Sequence, residues 1–488
     1  MNLCNINHSF NYETEKLCRL FLPFEKINII DYIEAAEIYA VAEIKDDEAR
    51  ASLNIGEKSH SVSAKIINDK NEPTQKVAER VLARALYECF VALTGYRSQW
   101  GILTGVRPGK LYSSLVREKG KECAEDYFKN ELLVSDKKTA LCAMTSFSEK
   151  KIVEKSGDNS FSLYISIPFC PSRCSYCSFV SHSVEKSEKL IPEYLEKLET
   201  EIEQTAKIAK DLDLNLETVY IGGGTPTTLS AEQLSELMSV IRENFDLSDI
   251  TEYTVEAGRP DTITKEKLKA IKSGGATRIS INPQTMNDSV LEHIGRRHNS
   301  EQTREAFCLA REVGFDNINM DLIAGLPTDT LESFKATVDE VIKMRPENVT
   351  VHSLSMKRAA TLSVNGALPE IEMGTVASDM VDYAREKLTA AEILPYYMYR
   401  QSKTVGNLEN VGYAKEGFEG YYNVYIMDET HTILACGASA VTKLREPGGQ
   451  TIDRVFNYKY PYEYINDFET ILSRKAKILD FYKKYPLK

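Results

Sequence analysis

The sequence predicts an α/β fold in which six βα units form an open, partial (β/α)6 barrel. Short apolar, β-branched segments alternate with amphipathic helical segments over the middle of the chain. This alternation is typical of a parallel sheet, because helices supply the crossovers between parallel strands. Six units are too few for the usual closed barrel of eight. The predicted strands are residues 163–167, 218–221, 253–255, 278–281, 318–323 and 349–352.

The helical segments between these strands have recognisable ends. Ser230 opens a Ser-Ala-Glu-Gln capping box. Gly274 is expected at the C′ position of a helix over residues 265–272, and a helix over residues 331–344 is expected to stop just before Pro346. In such sheets binding and catalytic groups collect at the carboxyl ends of the strands, so functional residues are expected there.

The barrel is predicted to be the middle of three regions. Residues 1–155 contain strand-like segments and a long helical segment over 74–93, which indicates a small α+β domain. The turn-forming composition of residues 155–160 is typical of a linker. The sequence therefore predicts an N-terminal α+β domain over 1–155, the barrel over 156–360, and a C-terminal extension that covers the substrate over 361–488.

Composition narrows the class of protein. The 488 residues carry a net charge of −12, and no cluster of Lys or Arg stands out. Nucleic acid and anionic membrane surfaces are therefore not expected partners. No apolar run approaches the roughly 18 residues of a membrane span, and the first residues lack the basic and apolar regions of a signal peptide. These features predict a cytoplasmic protein.

Three of the ten cysteines lie close together in the sequence. Cys170, Cys174 and Cys177 have the spacing C-x3-C-x2-C, directly after the first predicted strand. Iron–sulfur clusters are bound by thiolates, usually four, so three ligands leave one iron open to a small molecule. A closed zinc site is the alternative, but it needs four N or S donors. His182 is the only nearby candidate for the fourth.

Unusual residues also follow the next predicted strands. The second strand ends in three glycines and Thr225, a pattern that lets the backbone approach a ligand closely. A phosphate-binding loop is the alternative, but its Gly-Lys-Ser/Thr ending is absent. Glu256 ends the third strand, where a carboxylate can accept hydrogen bonds from ribose hydroxyls. Gln284 and Arg296 follow the fourth strand, and Asp321 lies in the fifth.

This ordered set of motifs resembles the radical S-adenosylmethionine (SAM) superfamily. The resemblance implies that Cys170, Cys174 and Cys177 bind a [4Fe–4S] cluster. It also implies that the open iron binds the amino and carboxylate groups of SAM. An electron from the cluster would then cleave SAM to a 5′-deoxyadenosyl radical.

Residues 160–355 resemble, within that superfamily, the oxygen-independent coproporphyrinogen III oxidases and their relatives. On that pattern, the residues that contact the SAM on the cluster are Tyr164, Gly223 and Glu256. The residues around a second SAM or a substrate pocket are Tyr176, Gly224, Thr225, Gln284, Arg296 and Asp321. Val441 matches the position of an apolar contact to SAM.

Two segments and the long N-terminal extension are similar to the HemZ group of these relatives. The segments are residues 100–108, which also predict a turn into a helix starting at Pro108, and residues 399–413. Two positions depart from neighbouring groups. Phe179 stands where bacterial oxidases carry an additional Cys, and in this it is closer to the HemW haem chaperones. Residues 356–358 replace an acidic residue usual in those chaperones.

The resemblance implies a tetrapyrrole substrate, coproporphyrinogen III, which would lose two propionates as CO2 to give protoporphyrinogen IX. The electron donor would be of the flavodoxin or ferredoxin type. The carboxylates of such a substrate need cations; the candidates are Arg296, Arg297, Lys357, Arg358 and Arg400.

Two other functions stay open. A HemW-like haem chaperone would use His298 or His431 as a haem ligand. A radical SAM enzyme could also act on an unrelated substrate, because fold alone does not determine chemistry.

Overall fold

The computed structural model describes every residue except 24, 69–71, 178–181, 356–366, 402 and 488. The described chain divides into two compact units. The first consists of residues 1–146, 363–379 and 399–409, and the second of residues 147–362, 380–398 and 410–488. The three-domain division over 1–155, 156–360 and 361–488 stays a prediction. None of the described helices is long and apolar enough to cross a bilayer.

The first unit contains a five-stranded sheet in the order β2-β1-β3-β4-β5. The helix predicted over residues 74–93 is confirmed as α2, and the helix predicted to start at Pro108 is confirmed as α3. The elements in this part of the chain are β1 (Asn2–Ile6), α1 (Asn11–Phe21), β2 (Asn28–Ile30), β3 (Ile38–Lys45), β4 (Glu48–Ile55), β5 (Lys58–Lys65), α2 (Thr74–Thr94), α3 (Pro108–Lys119), α4 (Lys121–Asp126) and α5 (Asp136–Val153).

Two HemZ-like segments meet inside this first unit. The Arg400 guanidinium donates hydrogen bonds to the carbonyls of Leu103 and Gly105 at 2.6 and 3.2 Å. It also lies over the Trp100 ring, 5.1 Å from the ring centroid. The Trp100 indole N–H donates to a Glu409 carboxylate oxygen at 2.7 Å. Arg400 is 4% exposed, so it binds the backbone of a neighbouring loop and does not present its charge to a substrate.

The second unit is built on an eleven-stranded sheet in the order β14-β15-β13-β12-β11-β10-β9-β6-β16-β17-β18. Its strands are β6 (Ser160–Ile167), β9 (Asn215–Gly223), β10 (Glu252–Glu256), β11 (Arg278–Ser280), β12 (Ile318–Ala324), β13 (Asn348–Ser353), β14 (Leu394–Arg400), β15 (Glu409–Ala414), β16 (Thr432–Cys436), β17 (Val441–Arg445) and β18 (Ile452–Phe456). A separate small ladder joins β7 (Phe169–Cys170) to β8 (His182–Ser183).

Helices connect these strands. They are α6 (Val184–Ser187), α7 (Ile191–Asp211), α8 (Ala231–Asn244), α9 (Lys265–Ser273), α10 (Asp288–His293), α11 (Ser300–Val313), α12 (Leu331–Met344), α13 (Ala367–Ala390), α14 (Tyr421–Asp428), α15 (Pro461–Asn466) and α16 (Phe468–Lys484). The six predicted strands are confirmed as β6, β9, β10, β11, β12 and β13, which pair in parallel in that order. The sequence did not indicate β16, which pairs in parallel with β6 on its other side.

Alternate residues of the six parallel strands form two different faces. One face is apolar and at most 2% exposed; it comprises Leu163, Ile165, Val219, Ile221, Val255, Ile279, Ile318, Met320, Val349 and Val351. The registers align a polar set on the opposite face: Ser162, Tyr164, Thr218, Tyr220, Glu252, Thr254, Arg278, Ser280, Asn319, Asp321, Asn348 and Thr350. The site residues at the strand ends continue this polar face.

Two of the three predicted helix ends are confirmed. The Ser230 side chain accepts from the backbone of Gln233, and the reciprocal bond of the capping box is present. The helix over residues 331–344 ends before Pro346, with Arg345 in the left-handed region. The prediction that Gly274 is a left-handed C′ residue is wrong, because its φ is −71°. The left-handed residue is the next one, Gly275, with a φ of +102°.

A buried ion pair fixes the C-terminal segment against the end of β6. The Lys475 ammonium lies 2.8 Å from a Glu201 carboxylate oxygen, and both side chains are at most 1% exposed. The same carboxylate accepts from the Gly437 backbone N–H at 2.8 Å and from the Tyr464 hydroxyl at 2.6 Å. A Cβ on Gly437 would lie 2.6 Å from the Ser166 carbonyl oxygen. The turn after β16 is therefore held directly on the strand that leads to the cysteines.

Replacing Lys475 by Met is expected to destabilise the second unit, because the Glu201 charge stays buried without its counter-ion. Breaking one partner of a buried pair costs about 3–5 kcal/mol. The urea midpoint of the near-UV circular dichroism signal should fall accordingly. Lys477→Met, on an exposed position of the same helix, is the matched control, with an expected change within about 0.5 kcal/mol. Equal midpoints for the two variants would contradict this role of the pair.

Candidate active site

The three cysteines lie on a loop that hydrogen bonds hold against the turn at Ile294 and Gly295. Cys170 ends β7, and all three thiols are partly exposed. The Ser175 N–H donates to the Ile294 carbonyl at 3.0 Å, and the Ser172 hydroxyl donates to the Gly295 carbonyl at 3.1 Å. Among the described residues no three Cys, His, Asp or Glu side chains converge as a single metal ion requires. A cubane iron–sulfur cluster needs thiolates that lie further apart, because each thiolate binds a separate iron.

The glycine run after β9 lies directly against this loop. The Gly224 N–H donates to the Ile167 carbonyl and the Thr225 N–H donates to the Phe169 carbonyl, both at 2.7 Å. A Cβ on Gly224 would lie 2.6 Å from the Phe169 carbonyl oxygen and 3.0 Å from the Cys170 sulfur. The Thr225 hydroxyl donates to that sulfur at 3.5 Å. The glycine run therefore packs directly against the segment that leads into Cys170, with no room for a side chain at Gly224.

Gly222 and Gly223 have separate reasons to be glycine. Gly223 has a φ of +108°, and a Cβ there would lie 2.9 Å from the Ser166 hydroxyl oxygen. A Cβ on Gly222 would lie 3.2 Å from the Glu256 carboxylate. The absence of a side chain at Gly222 thus makes room for that carboxylate beside the glycine run.

Glu256 is held by a tyrosine that the sequence analysis did not single out. The Tyr220 hydroxyl donates to a Glu256 carboxylate oxygen at 2.5 Å. Burial raises the pKa of Glu256 to about 7, and the charge of Asp321 also raises it. The Tyr220 hydrogen bond and the Arg278 charge lower this pKa. Glu256 therefore changes its charge near neutral pH.

Three tyrosines stack beside this carboxylate. The Tyr220 ring lies 4.4 Å from the Tyr422 ring and 6.1 Å from the Tyr164 ring, measured between centroids. Burial raises the pKa of Tyr164, and the neighbouring Glu256 charge raises it further. The phenols therefore stay protonated and present an apolar, stacked surface with hydrogen-bonding edges.

Arg296 joins the cysteine loop to the ends of two strands. Its Nη2 donates to the Tyr176 hydroxyl at 3.0 Å. Its Nη1 donates to the Gly258 carbonyl, beyond β10, and to the Asn282 carbonyl, beyond β11, both at 3.0 Å. Burial lowers the Arg296 pKa, but the Tyr176 hydroxyl and the Cys174 thiol raise it by more. The guanidinium is a fixed positive charge that is already largely hydrogen-bonded.

Gln284 and Asp321 meet through the backbone. The Gln284 N–H donates to the Asp321 carbonyl at 2.9 Å, and Gln284 has a φ of +66°, which is uncommon for a non-glycine residue. The Asp321 carboxylate accepts from the Asn319 amide at 2.8 Å and lies 3.7 Å from the His352 ring. Burial raises the Asp321 pKa, but His352 and Asn319 lower it by more. Asp321 is therefore an anion on the polar face of β12.

The predicted site residues thus fall into two groups. The structure brings together Cys170 with Gly224 and Thr225, and Tyr176 with Arg296, by the contacts above. Val441 is the first residue of β17 and pairs with Phe456; its place in the site stays a prediction. Phe179, Lys357 and Arg358 lie outside the described residues.

Sequence reasoning missed Tyr220, Arg278, His352 and Arg259. A signal for the first three was present, since polar residues alternate with apolar ones within β9, β11 and β13. Arg259 stands three residues beyond Glu256, the last residue of β10, and carries no such pattern.

Comparisons with known proteins place these features in a family. Residues 164–341 match the family model of the Radical SAM superfamily. The chain is 34% identical over 482 residues to the oxygen-independent coproporphyrinogen-III oxidase-like protein HemZ of Bacillus subtilis (strain 168), which covers 95% of this chain and 96% of that protein. It is 36% identical over 282 residues to the heme chaperone HemW of the same organism, covering 57% of this chain and 70% of that protein.

A solved structure shows the same fold. Coproporphyrinogen III oxidase (HemN) from Escherichia coli, described as a radical SAM enzyme, superposes with a TM-score of 0.51 and 23% identity. The match covers 67% of this chain and 73% of that one.

Replacing Tyr220 by Phe is expected to raise the pKa of Glu256 above its value of about 7, because the carboxylate loses its hydrogen bond. Infrared titration of the protonated carboxyl band, assigned by its loss in Glu256→Gln, would measure this. Tyr422→Phe removes a hydroxyl from the same stack and is the control, with a smaller expected shift. An unchanged or lower pKa in Tyr220→Phe would contradict the arrangement.

The titration of Glu256 also changes the free energy of unfolding. Because the folded chain binds this proton more tightly than an unfolded chain, Glu256 disfavours folding increasingly as the pH rises from 4.5 to about 7.

Proposed function

Since the chain belongs to the radical SAM superfamily and, within it, to the HemZ-like oxygen-independent coproporphyrinogen III oxidase family, we propose that Cys170, Cys174 and Cys177 bind its cluster. A [4Fe–4S] cluster and SAM are the cofactors of this superfamily. The observation that supports the ligand assignment is that all three thiols are partly exposed on one loop, which hydrogen bonds hold against Ile294 and Gly295. The fourth iron is left to SAM.

The residues around this loop suit SAM as a ligand. The glycine run would bring backbone groups to its amino acid moiety, and Glu256 would accept hydrogen bonds from its ribose hydroxyls. Tyr164 would contact the same SAM, while Tyr176, Thr225, Gln284, Arg296 and Asp321 would line the second SAM or substrate pocket. Val441, the first residue of β17, would contribute the apolar contact to SAM. When bound, the cluster and SAM together supply a radical that abstracts hydrogen from an unactivated C–H bond.

We propose that the substrate is coproporphyrinogen III. Each of two propionates would lose one hydrogen atom to the 5′-deoxyadenosyl radical, one electron to a one-electron acceptor, and CO2, which leaves a vinyl group and gives protoporphyrinogen IX. The observation that carries this proposal is similarity to the HemZ protein over 95% of the chain, including the N-terminal unit. The proposed electron donor is a flavodoxin or ferredoxin, and the proposed location is the cytoplasm, where thiols stay reduced.

Two of the predicted cations for the substrate carboxylates already bind protein groups. Arg400 is buried among backbone carbonyls, and Arg296 binds two carbonyls and a phenol. Arg297 is exposed and stays a proposed candidate, as do Lys357 and Arg358, which lie outside the described residues.

A HemW-like haem chaperone is the second candidate function, favoured by the similarity to HemW over 57% of the chain. The two predicted haem ligands do not support it. His298 and His431 are 3% and 2% exposed. The His431 ring bonds to the Ser162 hydroxyl at 2.9 Å and stacks on Tyr425. A chaperone would therefore need other ligands.

Above about pH 7, where Glu256 is mainly charged, Glu256→Gln is expected to weaken SAM binding about tenfold or more. Hydrogen bonds to a charged acceptor contribute about 1.5–3 kcal/mol, and 1.4 kcal/mol is a factor of ten. Equilibrium binding to the cluster-loaded protein measures the change, with iron content checked in parallel. Glu236→Gln, on an exposed position of α8, should bind SAM as the wild type does. An unchanged affinity of Glu256→Gln for SAM would contradict the proposal that Glu256 binds the ribose of SAM.

With coproporphyrinogen III, SAM and a flavodoxin-type donor in the absence of oxygen, the protein is expected to form a tricarboxylic intermediate and then protoporphyrinogen IX. Each lost propionate should consume at least one SAM. Porphyrin analysis by chromatography measures the products, and Cys174→Ala should form none. Stoichiometric haem binding with SAM cleavage uncoupled from CO2 release would favour the chaperone. If SAM is cleaved but the protein neither binds haem nor decarboxylates coproporphyrinogen III, the substrate is not a tetrapyrrole of this kind.

A further inference from the structure

Arg259 lies next to the loop that carries the three cysteines. It is not among the residues that the sequence motifs predict for the site. It follows β10 and is 3% exposed. Its Nη1 donates toward the Cys174 sulfur at 3.6 Å and to the Ser172 carbonyl at 3.3 Å. Its Nη2 donates to the Ser172 hydroxyl at 3.0 Å. A buried positive charge thus contacts one proposed cluster ligand and the backbone that carries it.

The guanidinium is held rigidly in this position. Asp261 accepts from its Nε at 3.2 Å and from its Nη2 at 3.3 Å, as a two-pronged ion pair. The Asp261 carboxylate in turn lies 3.8 Å from the buried His298 ring. The geometry therefore orients Nη1 toward sulfur without help from solvent.

The other donors near the cysteines differ from Arg259. Thr225, which donates to the Cys170 sulfur, is neutral. Arg296 is charged, but its hydrogen bonds go to Tyr176, Gly258 and Asn282. Of these three residues only Arg259 combines charge, burial and an N–H directed at a cysteine sulfur.

We propose that Arg259 is a positioning residue that raises the reduction potential of the cluster by donating a hydrogen bond to the Cys174 thiolate. Reduction adds one negative charge to the cluster, and an N–H donated to a ligand sulfur stabilises the reduced form more than the oxidised form, although Asp261 offsets part of the guanidinium charge. Hydrogen bonds to the sulfurs, net charge and burial are the factors by which proteins set such potentials. The resulting gain would ease the electron transfer that precedes SAM cleavage.

This inference rests on the proposed cysteine ligands and not on the proposed substrate. Iron content and the spectrum of the cluster report the ligands, whereas product analysis reports the substrate. A failure of the present inference is therefore distinguishable from a failure of either part of the proposed function.

The test is a potentiometric titration of the full chain, reconstituted anaerobically with iron and sulfide and without SAM, monitored by electron paramagnetic resonance (EPR) of the reduced cluster. Arg259→Gln is expected to lower the equilibrium constant for reduction at least tenfold, which is about 59 mV for one electron. Arg259→Lys keeps the charge but not the two-pronged geometry, and should restore part of the loss. Arg173→Gln removes a charge from an exposed position of the same loop, where water screens it, and should change the constant much less.

Equal potentials for the wild type and cluster-loaded Arg259→Gln would overturn the proposal. So would a difference that arises only when SAM is present, because it would show that Arg259 binds SAM. If Arg259→Gln takes up no cluster, pulsed EPR of protein labelled with guanidino-15N arginine decides. A 15N coupling present in the wild type and lost in Arg259→Lys supports the proposal. A coupling that is absent from the wild type, or equal in both proteins, overturns it.

Discussion

The close approach of the β9 glycine run to the segment that leads into Cys170 is the constraint on which the site depends. Two backbone hydrogen bonds, from Gly224 and Thr225, extend the pairing of β6 and β9 beyond the strands themselves. A side chain on Gly224 would collide with both a carbonyl and the Cys170 sulfur. The cysteine loop thus has a fixed position relative to the sheet, and the residues at the neighbouring strand ends are placed around it.

The polar face of the sheet extends this arrangement into the interior. A charged group that is buried without a partner lowers the stability of a protein. Here the charges of Glu256, Asp321 and Arg278 offset one another, since Asp321 raises the Glu256 pKa and Arg278 lowers it. Asp321 is an anion within β12, whereas Glu256, at the end of β10, gains its charge as the pH rises through about 7. On the cysteine side, by contrast, the guanidinium ions of Arg259 and Arg296 lie beside the proposed cluster, and the Asp261 carboxylate pairs with Arg259.

Local sequence patterns predict much of this architecture. The six parallel strands follow from alternation of short apolar and amphipathic segments, and the cysteines and glycine run follow from their spacing. Local patterns could not give pairings between distant segments. Examples are β16 beside β6, and the Glu201–Lys475 pair that fixes the turn after β16. Arg259 belongs to the same class: its role depends on a loop 85 residues away in sequence. The error at Gly274 arose because two adjacent glycines make the cap position ambiguous.

The central claim is that Cys170, Cys174 and Cys177 together hold an iron–sulfur cluster, and iron and sulfide analysis of single alanine variants tests it most directly. Anaerobically reconstituted wild-type protein should bind about four irons per chain, with a broad absorption that dithionite bleaches. Each of the three alanine variants should lose this absorption, whereas Cys308→Ala, at an exposed position away from the loop, should keep it. A stable stoichiometric zinc with no iron uptake, or full iron content in a variant of the three cysteines, would contradict the account.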